Sequence, residues 1–168
     1  MGMELIEHIE VGSGGAGSIT FASIAADYTD LKIVISARNS NASNDNDFVF
    51  ATFNADSGSN YSWRRLYGTG STVASSSSST TYLVAGRSCN NGRTSNTFSN
   101  TSFYIPNYAS SNQKSTSTDS VEENNATTAF QDIYAGLWTG TAAITSITLG
   151  AGSYSFLEYS TASLYGIS

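Results

Sequence analysis

The chain has 168 residues, a formal net charge of −6 and a charged fraction of only 12%. Seven lysines and arginines are too few for a surface that binds nucleic acid phosphates, and the single cysteine excludes an internal disulfide or a cysteine-based zinc site. No run approaches the roughly 20 apolar residues of a membrane-spanning helix, so we expect neither a nucleic acid nor a membrane partner.

The first segment, Met1–Val11, is compatible with a short helix or with a strand. Leu5, Ile6 and Ile9 have helical spacing, but alternate positions also carry apolar residues. A helix this short is marginal in water, and the glycine-rich run Gly12–Gly17 ends the segment, so we predict an N-terminal strand or arm. Its three glutamates exclude a secretory signal, and we expect synthesis in a cytoplasm.

Two-residue periodicity predicts strands along the rest of the chain. The clearest is Leu31–Arg38, whose odd-numbered positions are all apolar. Asp47–Phe53 is apolar on both faces, which predicts a central strand or an interface. The other predicted strands are Ser18–Ile24, Tyr61–Tyr67, Thr80–Ala85, Thr97–Ile105, Lys114–Val121, Thr128–Trp138, Ala143–Leu149 and Tyr154–Tyr165.

The number and spacing of these strands predict the fold class. About eleven short strands, joined by Gly, Ser and Asn turns and without a long helix, indicate an all-β antiparallel sandwich or jelly roll. We expect one domain spanning residues 1–168. Pro106 directly follows a predicted strand, which fits a strand end or an edge. Turns are predicted at Asp56–Asn60, Gly68–Gly70, Gly86–Ser88 and Asn90–Gly92.

A serine-rich segment, Ser71–Thr80, interrupts the alternating pattern. It includes an unbroken serine run, Ser75–Ser79, that cannot contribute to a core. We predict a flexible surface loop between two strands, and the alternative is a loop that becomes ordered against a partner.

Few residues are candidates for catalysis. His8 is the only histidine, so a Ser-His-Asp or Cys-His site would have to use it, and no nucleophile motif accompanies it. Cys89 has only Arg87 and Arg93 nearby to lower its pKa, and we expect an ordinary thiol in a loop or at a strand edge.

Acidic and amide side chains form two groups in the sequence. Glu122 and Glu123, near Asp119 and Asp132, could supply the carboxylate pair of a glycosidase, but we expect solvated charges at a strand end. The run Asn41–Asp47 is rich in oxygen ligands but lacks the spacing of a calcium loop, and we expect a turn without a metal ion.

A short run in the middle of the chain places two arginines between aromatic residues. On a strand, Trp63, Arg65 and Tyr67 share one face, and Arg64 and Leu66 share the other. One interpretation places the two aromatic rings in the core with an internally paired Arg65. The other is that Trp63, Arg64, Arg65 and Tyr67 contact another subunit or a partner.

Segments along nearly the whole chain also resemble known proteins. They are Ile9–Gly15, Ser18–Phe21, Tyr28–Leu31, Gly58–Leu66, Tyr104–Tyr108, Glu123–Ala129, Ala142–Leu149 and Tyr159–Gly166. In these segments the chain resembles a family of small β-sandwich structural proteins of tailed bacteriophages, of the type found in phages of cyanobacteria. The resemblance implies a protein of the virion surface, assembled in the host cytoplasm, and it carries over no catalytic residue.

Three functions are compatible with a virion protein of this fold, and they differ in what each requires of the sequence. We expect a capsid decoration (cement) protein, trimeric and without a cofactor, that binds the major capsid protein and other virion proteins. The alternative is a tail-fibre or receptor-binding domain whose aromatic side chains hold host glycans. A glycan-degrading enzyme would need a convergent carboxylate pair, which the sequence does not support, so we expect no enzymatic activity. The expected assembly contacts are Leu5, Ile6, Ile9, Trp63, Arg64, Arg65 and Tyr67.

Overall fold

The computed structural model describes residues 2–43, 47–126 and 129–168, and every regular element within them is a β-strand. The strands are β1 (Met3–Glu10), β2 (Ser18–Phe21), β3 (Asp30–Ser36), β4 (Arg38–Asn39), β5 (Phe48–Phe53), β6 (Tyr61–Gly68), β7 (Val73–Thr80), β8 (Leu83–Arg87), β9 (Cys89–Asn90), β10 (Asn100–Ile105), β11 (Lys114–Glu122), β12 (Phe130–Trp138), β13 (Ile147–Gly150) and β14 (Thr161–Ile167). The predicted all-β class is confirmed, and so is a strand at the N-terminus.

Two antiparallel sheets pack face to face as a sandwich. The large sheet has eight strands in the order β1-β14-β3-β10-β11-β12-β6-β7, and the small sheet has four in the order β2-β13-β5-β8. Strand β8 of the small sheet packs against β10, β11 and β12 of the large one. A short parallel pair, β4 and β9, lies beside the two sheets.

The core lies between the sheets and follows the two-residue period of the strands. In β3, Leu31, Ile33 and Ile35 are fully buried, as the alternation predicts. In β5, the ring of Phe53 lies parallel to that of Phe103 from the large sheet, with centroids 6.3 Å apart. Because β5 lies between β13 and β8, the prediction of a central strand is confirmed.

Several predicted turns and boundaries are confirmed. The hairpin between β6 and β7 closes where Thr69 N–H donates to the carbonyl of Thr72 at 3.0 Å. Pro106 directly follows the last residue of β10, so it lies at a strand end. Strand β10 lies between β3 and β11 and is not an edge strand.

The turn predicted at Gly86–Ser88 is wrong, because β8 continues through Arg87. Gly86 has a φ of +151°, and a Cβ there would lie 2.5 Å from the side chain of Thr101. The glycine therefore permits a close approach of β8 to β10, instead of a reversal of the chain. The strand predicted over Ala143–Leu149 is also too long, because the side chain of Asn54 accepts the N–H groups of residues 145 and 146 and holds them outside the ladder.

The loop predicted for Ser71–Thr80 is likewise wrong over most of its length. Strand β7 pairs with β6 at every position from Val73 to Thr80, without a register shift. Serine favours strands weakly, but β6 supplies backbone partners for the whole run, and this tertiary context overrides the local preference. None of its side chains is buried, so the prediction that the run contributes nothing to the core is confirmed.

Candidate functional site

One face of the large sheet is not covered by another layer of the described chain. The small sheet packs on one side, and we call the opposite side the outer face. Six of the eight large apolar side chains that are exposed in the described structure lie on the outer face: Met3, Leu5, Val34, Leu66, Val73 and Ile133. Large apolar side chains grouped on one exposed face are typical of interaction surfaces.

Three of these side chains form a local patch near the β7 edge. Leu66 and Ile133 are directly opposite each other on β6 and β12, and Val73 lies on β7 opposite Gly68. Leu66 is 47% exposed, Ile133 51% and Val73 77%. This patch is too open to the solvent to stabilise the fold substantially, so its apolar character is available to a partner.

A groove with a volume of about 560 Å³ runs along the outer face beside Leu66 and Ile133. We call it the outer-face groove. The aromatic side chain that lines it on the outer face is that of Tyr104. Its floor consists of small side chains: Ser102, Ser117 and Ala135. A second depression of about 450 Å³ continues past Ser62, Ser77 and Leu137. Small side chains on a pleated surface leave room for the side chains of another molecule.

The charged side chains on the walls of the outer-face groove are Arg64 and Asp119. Arg64 is exposed, and Asp119 lies opposite Ile133 in the β11–β12 ladder. An apolar and small-polar centre with a few charges at its margin matches the composition of protein–protein interfaces, whose cores are depleted of charge.

The structure separates the predicted contact residues between two faces. Leu5 is 51% exposed on the outer face, whereas Ile6 and Ile9 are partly buried against the core. Arg64 is also exposed on the outer face. Trp63, Arg65 and Tyr67 lie on the inner side of β6 and are partly buried.

Arg65 belongs to a set of buried ion pairs between the sheets, which we call the ionic cluster. Its Nε donates to Asp132, whose other carboxylate oxygen accepts a bond of 2.5 Å from Nε of Arg87. Arg87 Nη1 lies 3.7 Å from Glu122, and Nε of Arg93 lies 3.3 Å from the same carboxylate. The prediction of an internally paired Arg65 is therefore confirmed.

Aromatic rings enclose the arginines of the ionic cluster. The guanidinium carbon of Arg65 lies 3.7 Å from the ring centroid of Tyr67, and that of Arg87 lies 3.6 Å from the centroid of Phe130. Phe48 lies 4.9 Å from the guanidinium of Arg87. These cation–π contacts replace part of the hydration that burial removes from the charges.

The prediction of solvated carboxylates is wrong for Glu122 and Asp132 and correct for Asp119 and Glu123. Glu122 and Asp132 are each 1% exposed. Burial raises the pKa of Glu122 to about 7, although the charges of Arg87 and Arg93 lower it. Since both buried carboxylates face arginines in the interior, the geometry gives no support to a glycosidase pair across a sugar-binding cleft.

The structure also places the two other candidate catalytic residues. His8 Nδ1 lies 2.7 Å from the hydroxyl of Ser163, its cross-strand neighbour on the outer face. Among the described residues no carboxylate is bonded to this ring, so the pair is a cross-strand hydrogen bond and lacks the third group of a triad. Cys89 is fully buried, and burial raises the pKa of its thiol to about 11.

The oxygen-rich run near residue 41 closes on itself. Asn41 Nδ2 donates to Asp47 at 3.0 Å, and its Oδ1 accepts the N–H of Ser43. Residues 44–46 of the predicted turn lie outside the described residues. In the part of the chain that is described, no three His, Cys, Asp or Glu side chains are placed to hold a metal ion. No helix in that part has the length and apolarity to cross a membrane.

A further depression of about 520 Å³ lies at one end of the sandwich, and we call it the loop pocket. Tyr159 and Phe98 line it together with polar groups from several loops. Tyr159 is 63% exposed and has a φ of +68°, in the left-handed region that non-glycine residues rarely adopt. Its N–H donates to the carbonyl of Val11 at 2.9 Å, which holds the strained conformation in place.

Sequence reasoning missed the outer-face patch and the loop pocket. Strand parity places Leu66 on the face opposite Trp63, but Leu66 is the one large apolar residue on its face of β6. Strand β12 carries apolar residues on both faces, so its sequence does not indicate that Ile133 is exposed. Tyr159 gave no signal, because a left-handed tyrosine cannot be recognised from residue type.

Comparisons of the chain with protein-family models, with curated proteins and with solved structures found no match.

Proposed function

We propose that this protein is a non-enzymatic structural protein that binds other proteins of a large assembly through its outer face. The resemblance of the chain to structural proteins of tailed phages supports a virion as this assembly, with the protein as a decoration protein on the surface of its head. The observation that carries the proposal is the grouping of exposed apolar side chains on the uncovered face of the large sheet, next to the outer-face groove.

The composition of the outer-face groove favours a protein partner over a glycan. Sugar rings stack on the flat faces of aromatic side chains, and this groove presents one such side chain, Tyr104. The serine and alanine floor and the apolar pair of Leu66 and Ile133 instead fit side chains of another protein. The proposed partners are the major capsid protein and neighbouring virion proteins.

A decoration protein stabilises a shell by binding in many copies. An interface of standard size buries roughly 800 Å² on each partner, which one face of a small sandwich can supply. Repeated over a lattice, contacts of modest affinity give strong overall attachment through their effective concentration. This mechanism needs no cofactor and no catalytic group.

Immunogold labelling of intact virions with an antibody against this chain tests the proposal. The phage whose genome encodes the chain is the appropriate sample, and virions of an unrelated phage are the control. Label distributed over the head is the expected result. Label confined to the tail, or absent from virions, would contradict a decoration role.

The loop pocket supports a second function, a glycan-binding domain of a tail fibre. Tyr159 and Phe98 present aromatic surface beside amide and hydroxyl groups, the combination that carbohydrate sites use. A glycan array probed with the wild type and with Tyr159→Ala tests it. Binding that Tyr159→Ala abolishes would favour this function, and an array without any binding would exclude it for the glycans tested.

A further inference from the structure

The two edges of the large sheet are built in different ways. The β1 edge carries three glutamates, Glu4, Glu7 and Glu10, and its register shifts between Leu5 and Glu7. Charged residues and bulges are devices by which proteins prevent an edge strand from pairing with another chain. By these criteria the β1 edge is protected.

The β7 edge has none of these devices. It is eight residues long, contains no charged residue or proline, and pairs with β6 without a shift. Alternate residues of an antiparallel strand direct their backbone N–H and C=O groups to opposite sides, so about half of these groups on β7 face away from β6. The small side chains do not cover these outward groups. A long, neutral and regular edge strand is a template for strand addition.

We propose that β7 is a self-association edge, which pairs antiparallel with β7 of a second copy around a twofold axis perpendicular to the sheet. The two outer faces then form one continuous surface. In this arrangement the residue on the axis, Ser76 or Ser77, lies opposite its own copy. This inference stands independently of the proposed function.

The serine run makes β7 self-complementary. With the axis at Ser77, all of Ser75–Ser79 lie opposite serines of the second copy, and with the axis at Ser76, Ser75–Ser77 do; neither arrangement creates a steric or charge conflict. With the axis at Ser76, Val73 lies opposite Ser79 of the other copy and loses part of its 77% exposure. A partner strand with bulky or charged side chains would gain no matching pockets or charges from β7.

The charge distribution permits the pairing despite the net charge of −6. The glutamate-rich edge is β1, at the opposite end of the sheet order from β7. Seven strand spacings separate these two edges within one copy, about 34 Å at about 4.8 Å each. Screening at physiological salt acts over about 8 Å, so the acidic edges do not oppose association through β7.

Single-cysteine cross-linking tests the geometry. Antiparallel partners lie about 4.5–5.5 Å apart between Cα atoms, within the range that a disulfide bridges. The native Cys89 is fully buried and does not interfere. We expect Ser76→Cys or Ser77→Cys to form a cross-linked dimer under mild oxidation, and Glu7→Cys on the opposite edge to remain uncross-linked.

Sedimentation equilibrium tests the association itself. We expect the wild type to form dimers with rising concentration, and the double variant Ser76→Lys/Ser77→Lys to raise the dissociation constant at least about tenfold, since like charges then face each other. Glu7→Lys is the control and should leave it unchanged. The lysines replace exposed residues but lie opposite Arg65 and Arg64 of β6, so the double variant should stay folded and unfold at a somewhat lower temperature, whereas Glu7→Lys should unfold at the wild-type temperature. A wild type that stays monomeric, or a trimer that neither changes with the lysines nor cross-links at β7, would overturn the inference.

Discussion

Replacing Asp132 by asparagine tests the structural role of the ionic cluster. Its carboxylate accepts bonds from Arg65 and from Arg87, the latter at 2.5 Å, and its side chain is fully buried. Asparagine has nearly the same shape, but its amide nitrogen would face one of the two guanidinium donors. Removing one partner from a buried ion pair costs about 3–5 kcal/mol, because the remaining charge stays desolvated. We therefore expect Asp132→Asn to lower the free energy of unfolding by roughly that amount.

The next residue provides a matched control. Ile133 follows Asp132 on β12, points to the outer face and is 51% exposed. The same new side chain at this position, Ile133→Asn, should cost less than about 1 kcal/mol, since exposed substitutions rarely cost more. Urea unfolding followed by tryptophan fluorescence measures both variants, and Trp63 and Trp138 supply the signal.

Two outcomes would refute this reasoning. A cost below about 1 kcal/mol for Asp132→Asn would mean that the arginines reach water and that the cluster is not desolvated. Equal costs for the two variants would mean that Ile133 is as buried as Asp132, and the outer face would then not be an open surface.

Three further predictions concern single residues. Burial raises the pKa of Glu122 from the ordinary value of 4.5 to about 7, so the folded state binds more protons than the unfolded one and stability falls as the pH rises through this window. Glu122→Gln should remove roughly 2–3 kcal/mol of this pH dependence between about pH 5 and about pH 8, and a difference between the two proteins that is constant with pH would contradict it. Ala55 has a φ of +54° in the turn after β5, a left-handed conformation that glycine adopts without strain. Ala55→Gly should therefore raise the free energy of unfolding by up to about 1 kcal/mol, and a lower melting temperature would count against this. Lys114 is 1% exposed, and its Nζ donates to the carbonyls of residues 110, 112 and 142. Lys114→Met leaves these carbonyls without their donor, so we expect thermal unfolding to show a loss of about 2 kcal/mol or more. An unchanged melting temperature would argue that water replaces the ammonium group.

Local periodicity predicted the parts of the fold whose two strand faces differ in polarity. Strand β3 is the clearest case, since its apolar positions alone identify its buried face. The Ser71–Thr80 segment could not be predicted in this way, because its strand depends on backbone pairing with β6 and not on its own side chains.

The ionic cluster could not be predicted either, for a different reason. Glu122 and Asp132 have the sequence character of solvated residues, and only the fold brings Arg87 from the small sheet to meet them. Of the candidate contacts, Arg64 was predicted from its residue type and lies exposed. Ile133 was missed because both faces of β12 carry apolar residues, so the alternation does not show which face is exposed.

The most direct test of the outer face as a virion-binding surface is co-sedimentation with capsids that lack this protein. We expect the wild type to sediment with the capsids and Leu66→Asp/Ile133→Asp to remain in the supernatant, because the charges would be buried in the interface. Thr20→Asp is the control, since it adds charge to an exposed position of the small sheet and should leave binding unchanged. Binding of Leu66→Asp/Ile133→Asp at the wild-type level, or no binding of the wild type, would contradict the proposal.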